Sequence, residues 1–323
     1  MNIEIKAIEY YLPLRTEDGK TLTGDNPDWR IAEIEQKTGI LTRHVAAIDQ
    51  TATDIAALAA EKLFVSGIEK EEIDFLILIT QSPDYVLLTS ACILQDTLGL
   101  KKSCIAFDIN LGCSGFVYGL AIGGALCESG FGKNGLVICS ETYSKYIDKS
   151  DRVCRPLFSD AAAATLLGSA TSDNLGPFEL GTDGSGFSDL IVRSSGARNA
   201  NKNSEERRLF MDGAKVFMFT MDAVPQCVMN LLKKSQKTID DIDLFVFHQA
   251  NKMVIYNIID KLKIPKKIFL NSHRVGNTVS ASIPIALKDA LQQGCLKKGD
   301  QIMLIGFGVG YSWGGCLIRW GDM

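Results

Sequence analysis

Histidine is scarce in this chain, with only three among 323 residues, and long apolar runs are missing altogether. Because no stretch of about twenty apolar residues occurs, the sequence predicts no membrane-spanning helix. The formal net charge is −4, and this balance gives no electrostatic reason to expect binding to nucleic acid or to an acidic membrane surface. The first six residues also lack the basic-then-apolar pattern of a signal peptide.

The nine cysteines show no pairing pattern. They are odd in number, lie scattered through apolar segments, and form neither a CxxC pair nor a Cys/His cluster with zinc spacing. We therefore expect no secreted disulfide framework, no metal site and no cofactor. A cytoplasmic location fits this pattern, because a reactive thiol stays reduced there.

The order of apolar patterns predicts an α/β protein built from two similar halves. Strand-like runs alternate with helical patterns, which is typical of that class. Residues 68–79 and 235–247 share the order of a polar turn followed by a strand, and so do residues 128–139 and 292–305. These two echoes in the same order predict a duplicated unit, with halves at residues 1–170 and 171–323. The polar stretch 184–208 is interpreted as a long surface excursion.

One cysteine lies where a reactive thiol is expected. Cys113 follows residues 103–109, a predicted buried strand, and precedes a helix that has glycine at positions 115, 119 and 123. Unpaired N–H groups and the helix dipole at such a helix start favour a thiolate, so we expect the pKa of Cys113 to be lowered. The same N–H groups can hold a developing oxyanion. The alternative is an inert packing residue, which most buried cysteines are.

Two candidate partners for this thiol lie far downstream. His248 follows the apolar run Leu244–Phe247, at the carboxyl end of a predicted strand, where active sites of α/β proteins form. Its neutral imidazole can donate to a carbonyl or accept a thiol proton, and the alternative is a core histidine bonded to backbone. Asn277 suits either a helix cap or an uncharged donor to an oxyanion. Residues 306–310 form a predicted glycine loop whose amides can face a reacting carbonyl.

These motifs resemble the ketoacyl-ACP synthase III branch of the thiolase superfamily over nearly the whole chain. The matching segments are residues 37–40, the turn at Cys113, and residues 151–152, 248–251, 276–278 and 306–313. The resemblance implies a thiolase-like fold, which is a duplicated five-layer αβαβα arrangement. It also implies a homodimer.

The resemblance further implies an activity. In that family the cysteine takes an acyl group from acyl-CoA, and the histidine and asparagine bind the thioester carbonyl of a malonyl donor. Loss of CO2 gives an enolate that attacks the acyl-cysteine and forms a β-ketoacyl product. By this resemblance Cys113, His248 and Asn277 are catalytic, and the backbone N–H groups of Cys113 and Val309 form the acyl oxyanion hole. The enzyme would be an acyltransferase of fatty acid or specialised metabolite biosynthesis.

The resemblance also implies binding positions. Those carried over for coenzyme A are Trp29, Arg152, Gly213, Phe217, Ala250 and Asn251. Leu87 falls at the end of the acyl pocket, across the dimer, where housekeeping members place an aromatic residue, so the smaller side chain argues for a longer, branched or unusual acyl chain. Met218 and Met253 stand where basic residues that contact the carrier protein are often found, although Lys215 and Lys252 are adjacent. Malonyl-ACP and malonyl-CoA therefore both stay open as donors.

Three other interpretations remain open. The same scaffold can serve an acyltransferase that passes the acyl group from the cysteine to an oxygen or nitrogen nucleophile. A Cys-His-Asn hydrolase of thioesters or peptides is a different class, and a non-catalytic subunit is the third. Product analysis distinguishes the four interpretations. A condensing enzyme gives a β-keto compound and CO2, an acyltransferase gives an ester or amide, a hydrolase gives a free acid, and a non-catalytic subunit gives no product.

Overall fold

Two β-sheets organise the chain, whose computed structural model describes residues 1–199, 207–265 and 267–321. The strands are β1 (Ile3–Tyr11), β2 (Arg15–Asp18), β3 (Thr42–Val45), β4 (Phe75–Ile79), β5 (Ile105–Ile109), β6 (Gly135–Glu141), β7 (Ala161–Ser169), β8 (Leu175–Thr182), β9 (Leu190–Val192), β10 (Leu209–Met211), β11 (Leu244–Phe247), β12 (Gln301–Gly308) and β13 (Ser312–Arg319). The helices are α1 (Gly19–Asp25), α2 (Ile31–Thr38), α3 (Ala52–Val65), α4 (Ser90–Thr97), α5 (Gly115–Glu128), α6 (Gly213–Ser235), α7 (Lys252–Leu262), α8 (Ser272–Val275) and α9 (Ser282–Gln292).

The two large sheets repeat one strand order. The first sheet has the order β1-β7-β6-β4-β5, and the second has the order β8-β13-β12-β11. In both sheets the first two pairs are antiparallel and the third pair is parallel. A parallel bridge from Phe245 to Ile268 takes the place beside β11 that β5 has beside β4. The predicted duplication is therefore confirmed, because the echoing segments lead into β4 and β11, and into β6 and β12.

Helices cover and separate the sheets. Helices α3 and α4 pack against the outer face of the first sheet, α5 and α9 lie between the two sheets, and α6 and α7 cover the outer face of the second. Because β4 is covered on both faces, its five residues form a continuous apolar run. The layers follow the order αβαβα, so the predicted thiolase-like fold is confirmed. The division of the chain at residues 170 and 171 stays a prediction.

Glycines allow α5 to lie unusually close to the first sheet. A Cβ atom added at Gly115 or at Gly119 would lie 2.5 Å from the side chain of Ile79, and one at Gly123 would lie 2.8 Å from Leu167. Such distances are well inside van der Waals contact, so only glycine permits this approach. The small-residue stripe thus sets the depth of α5, and with it the depth of Cys113 just before the helix.

Two segments differ from the sequence prediction. Strand β5 was predicted to be buried, but it is the edge strand of the first sheet, with Ile105 exposed and the other residues half-buried. The stretch 184–208 is only partly a surface excursion, because β9 pairs with β10 and Leu190 is buried. Residues 200–206 of that stretch lie outside the described residues. Local apolar patterns do not specify which strand lies at an edge or which loop residue packs inward.

The fold brings several strand ends to one region. Cys113 follows β5, His248 follows β11, and Val309 follows β12. Among the residues that the structure describes, no helix combines the length and apolar character needed to cross a membrane.

Candidate active site

Cys113 lies in the turn between β5 and α5, almost completely buried at 5% exposure. The turn is closed by the N–H of Gly115, which donates to the carbonyl of Gly112 at 2.8 Å. Strand β12 passes directly against the thiol, since a Cβ atom added at Gly308 would lie 2.9 Å from both Cβ and Sγ of Cys113. The glycines at this end of β12 therefore create the space for Cys113. The predicted glycine loop at 306–310 is largely strand, because β12 continues through Gly308.

The expected lowering of the pKa of Cys113 is wrong. Burial raises the pKa of this thiol to about 12, and the carboxyl group of Glu141 raises it further. The backbone N–H groups of Cys113 and Val309 act on the thiol in the opposite direction, as a helix start and an oxyanion hole would. Desolvation of the charged form outweighs these two dipoles, so the resting group is a neutral thiol.

His248 follows β11 and is held by the second sheet. Its backbone N–H donates to the carbonyl of Ile305 at 2.7 Å, and its Nδ1 lies 2.7 Å from Oγ of Ser282. The ring meets Phe307 edge to face. Burial lowers the pKa of His248 to about 3, so the imidazole is neutral at physiological pH. When the Ser282 hydroxyl donates to Nδ1, the proton of the ring is on Nε2, which is then a donor.

Asn277 is oriented by hydrogen bonds on both sides of its amide. Its Oδ1 accepts the N–H of Val279 at 3.0 Å, and its Nδ2 donates weakly to the carbonyl of Ala250 at 3.4 Å. Its backbone pairs with Leu157 and Ser159. The helix-cap alternative is partly met, because Val279 begins a short 3-10 helix, Val279–Ala281, that leads directly into α9. One N–H of Nδ2 remains available for a ligand.

These three side chains line one cavity of about 560 Å³. The other lining residues are Ile34, Lys37, Thr38, Arg152, Val153, Pro156, Leu157, Phe158, Leu190, Met211, Gly213, Ala214, Val216, Phe217, Thr220, Ala250, Asn251, Met253, Val254, Phe307 and Gly308. The surface is mostly apolar, and cationic side chains are contributed by Lys37 and Arg152. A mainly apolar cavity with few polar groups is the usual form of a site for an organic ligand.

Most positions predicted to contact coenzyme A belong to this cavity. Arg152, Gly213, Phe217, Ala250 and Asn251 all line it, and Oδ1 of Asn251 also caps α7 by accepting the N–H of Val254.

Two predicted positions do not line the cavity. Trp29 lies half-buried in the turn before α2, and Leu87 is 90% exposed on the loop between β4 and α4. Met253 lines the cavity, whereas Met218 is 71% exposed beside it. Lys215 is paired with Asp189.

The sequence reasoning missed a buried carboxyl group next to the thiol. Glu141 ends β6, is fully buried, and accepts hydrogen bonds from the backbone N–H of Gln81 and the hydroxyls of Ser82 and Ser280 at 2.9–3.1 Å. Burial raises its pKa to about 8 despite these three donors. An acidic residue at the end of an otherwise apolar strand was the available sign. No comparable sign distinguishes Ser282, whose partnership with His248 depends on tertiary packing.

Comparison with known proteins gives matches over nearly the whole chain. Residues 107–184 match the family model described as 3-oxoacyl-[acyl-carrier-protein (ACP)] synthase III, and residues 232–320 match the model of its C-terminal part. A β-ketoacyl-[acyl-carrier-protein] synthase III of Fusobacterium nucleatum is 36% identical over 330 residues, covering 99% of both proteins.

Solved structures agree with the sequence matches. A crystal structure of a 3-oxoacyl-(acyl-carrier-protein) synthase III has a TM-score of 0.94 at 39% identity, covering 99% of this chain and 100% of that one. The priming β-ketosynthase of the R1128 polyketide biosynthetic pathway has a TM-score of 0.92 at 29% identity, covering 99% of this chain and 96% of that one. The chain belongs to the β-ketoacyl-[acyl-carrier-protein] synthase III family.

Proposed function

We propose that this protein is a condensing enzyme that takes an acyl group from acyl-CoA onto Cys113 and joins it to a malonyl thioester. The observation that carries the proposal is the single cavity that Cys113, His248 and Asn277 share, with Arg152 and Lys37 along its wall. A nucleophilic thiol and two uncharged donors match the two halves of a decarboxylative Claisen condensation. The product is a β-ketoacyl thioester of fatty acid or specialised metabolite biosynthesis.

In the acyl-transfer step, Sγ of Cys113 attacks the thioester carbonyl of acyl-CoA. The backbone N–H groups of Cys113 and Val309, which already interact with Sγ, are placed to receive the negative oxygen of the tetrahedral intermediate. Because the resting thiol is neutral, its proton must leave as the S–C bond forms. That proton passes to the departing coenzyme A sulfur, which leaves as a neutral thiol.

In the condensation step, the malonyl thioester loses CO2 and its thioester oxygen acquires the enolate charge. Nε2 of His248 and Nδ2 of Asn277 donate to that oxygen, and both donors stay uncharged. The enolate carbon then attacks the acyl carbonyl on Cys113, and the thiolate leaves and takes up a proton. Uncharged donors suit this step because the protonated imidazole is disfavoured by burial.

Coenzyme A is proposed to occupy the outer part of the cavity. Arg152 supplies a positive charge for its phosphates, and Gly213, Phe217, Ala250 and Asn251 form the wall along its pantetheine arm. Trp29 lies outside this cavity, so an adenine contact there requires the ligand to extend beyond the mouth.

The second donor is proposed to be malonyl-ACP or malonyl-CoA, and the apolar rim leaves both possible. Met218 is exposed next to the mouth, where a basic residue would favour an acidic carrier protein. Lys252 begins α7 close to α2, since a Cβ atom added at Gly39 would lie 2.7 Å from its Cβ. This lysine is therefore our candidate for contact with a carrier protein. No resident cofactor is part of the proposal, and the proposed location is the cytoplasm.

The functional unit is proposed to be a homodimer. Four consecutive apolar residues, 85–88, are exposed in the single chain, with Leu87 at 90% exposure. Strand β5 is the edge strand of the first sheet, next to β4, which leads into this loop, and Ile105 on β5 is also exposed. A second copy that covers this loop and edge would bury both features. In such a dimer Leu87 is proposed to help close the acyl pocket of the partner subunit.

The test is mass spectrometry of the intact protein after exposure to acyl-CoAs from acetyl to dodecanoyl, followed by addition of malonyl-CoA or malonyl-ACP. We expect a single acyl group on Cys113 and then a β-ketoacyl product with release of CO2. Cys92→Ala, at an exposed thiol, is the matched control and should load normally, whereas Cys113→Ala should not load. Acylation mapped to another cysteine would contradict the assignment. Release of free acid, or of an ester or amide, would favour the alternative activities.

A further inference from the structure

We propose that Tyr143 is a specificity-determining residue that ends the acyl pocket within each chain and restricts the acyl group on Cys113 to short chains. This inference rests on the proposed function. It opposes the expectation of a longer chain that the small side chain of Leu87 suggests.

The position of the tyrosine follows from β6. A 3-10 helix, Tyr143–Tyr146, begins two residues after this strand ends at Glu141. This turn directs the ring of Tyr143 into the apolar cluster that contains Cys113, where both side chains are 5% exposed. Tyr143 does not line the cavity, so it lies behind the wall rather than in the open space.

The ring fills the space directly behind the thiol. On one side it packs against Phe158, which lines the cavity, with ring centroids 5.4 Å apart. On the other side its hydroxyl donates to Oε1 of Gln81 at 2.6 Å. That oxygen lies beside Gly112, where an added Cβ atom would be only 2.5 Å away. The phenol thus spans from the cavity wall to the residue that precedes Cys113.

The ring cannot move aside easily. Tyr143 is fixed by the hydrogen bond at its tip and by packing against Tyr146 and Phe158. If the ring of Tyr143 moved away from Gln81, its buried hydroxyl would lose its hydrogen-bond partner, which carries a desolvation penalty. Rotation would also disturb a close-packed cluster. An acyl chain that extends past the first few carbons therefore meets a fixed aromatic ring.

The loop that carries Leu87 also anchors this ring. Gln81, which accepts the hydrogen bond of the phenol, lies near the start of that loop between β4 and α4. Tyr143 packs in the same apolar cluster as Cys113, whereas Leu87 is proposed to act only at the far end of the pocket, across the dimer. Under this proposal the ring therefore limits chain length before Leu87 can do so.

The experiment compares loading of Cys113 by acetyl-, butyryl-, hexanoyl- and octanoyl-CoA, measured by intact mass and by initial rate. For the wild type we expect acetyl and butyryl groups to load, and octanoyl to load at least about 10-fold more slowly, since one methylene in an apolar pocket is worth roughly 10- to 200-fold. Tyr143→Ala should raise octanoyl loading about 10-fold or more relative to acetyl loading.

Tyr143→Phe is the matched control, because it keeps the ring and removes only the bond to Gln81. Its preference should stay with short chains. A wild-type profile that includes octanoyl, or an unchanged profile in Tyr143→Ala, overturns the inference. If the alanine variant fails to fold by circular dichroism, Tyr143→Leu replaces it and the wild-type profile is decisive by itself. Absence of loading by every acyl-CoA instead removes the proposed function, and the inference with it.

Discussion

The buried carboxyl group of Glu141 predicts a specific dependence of stability on pH. Its pKa is raised from 4.5 to about 8 by burial, so the folded chain holds a proton on this group that the unfolded chain has already lost. The stabilising contribution is fully present below pH 4.5 and disappears as the pH rises through about 8. Between pH 6 and 9 the folded state loses roughly 3 kcal/mol of stability through this group, because the slope is about 1.36 kcal/mol per pH unit well below pH 8, about half of that at pH 8, and small above it.

The substitution Glu141→Gln should remove this dependence while preserving the contacts. The backbone N–H of Gln81 can only donate, so the amide oxygen of the introduced glutamine should face it and accept its hydrogen bond. The amide NH2 then faces the hydroxyl of Ser280, which can rotate and accept. Other groups also titrate, among them Asp160, whose charge helps to raise the pKa of Glu141. The relevant quantity is therefore the difference between variant and wild type.

The assay is urea unfolding at pH 6 and at pH 9, with Glu71→Gln as a control at an exposed carboxyl group. We expect the wild type to lose roughly 3 kcal/mol more than Glu141→Gln between these two pH values, and Glu71→Gln to follow the wild type. Above pH 8, alkylation of Cys113 by iodoacetamide should also be faster in Glu141→Gln, because the charge of Glu141 raises the pKa of the thiol. Equal pH dependence in the wild type and Glu141→Gln would refute the reasoning.

Three further predictions concern the proposed reaction. His248→Ala and Asn277→Ala should still acquire the acyl group but lose about 10²-fold or more in condensation rate, roughly 3 kcal/mol each, because each removes an enolate donor. Loss of acyl loading alone would make His248 chiefly a base for the thiol, and near-normal condensation in both variants would exclude the decarboxylation role. Leu87→Phe should shorten the accepted acyl chain of Tyr143→Ala in a homodimer but leave the wild-type profile unchanged, because Tyr143 ends the wild-type pocket first; loading profiles and sedimentation measure this, and a monomer at micromolar concentration would contradict it. Gly308→Ala should abolish loading while the melting temperature shows a folded protein, because its Cβ would lie 2.9 Å from Sγ of Cys113, and normal loading would show that the strand adjusts.

Much of the site was predictable because its sequence cues are local. The apolar runs that became β4 and β11 identify buried strands, and the residue after such a strand lies at the sheet edge where sites form. Cys113, His248 and Asn277 each stand in a short motif whose spacing is visible in the sequence alone. The fold class and the family predicted from these motifs are confirmed, whereas the catalytic roles remain predictions.

Tertiary structure alone decided the electrostatics and the shape of the site. The pKa of Cys113 rises because packing of β12 excludes water from the thiol and because Glu141 adds negative charge nearby. Both groups are distant in sequence from the start of the helix. Leu190 lines the cavity although it belongs to the mainly polar stretch 184–208, and Tyr143 closes the space behind the thiol through contacts with distant residues. The sequence by itself determined which elements form and which reactive groups they carry, because those depend on local patterns. Burial depends on which distant segments pack together. The protonation state of the reactive groups and the space around them were therefore decided only by the tertiary structure.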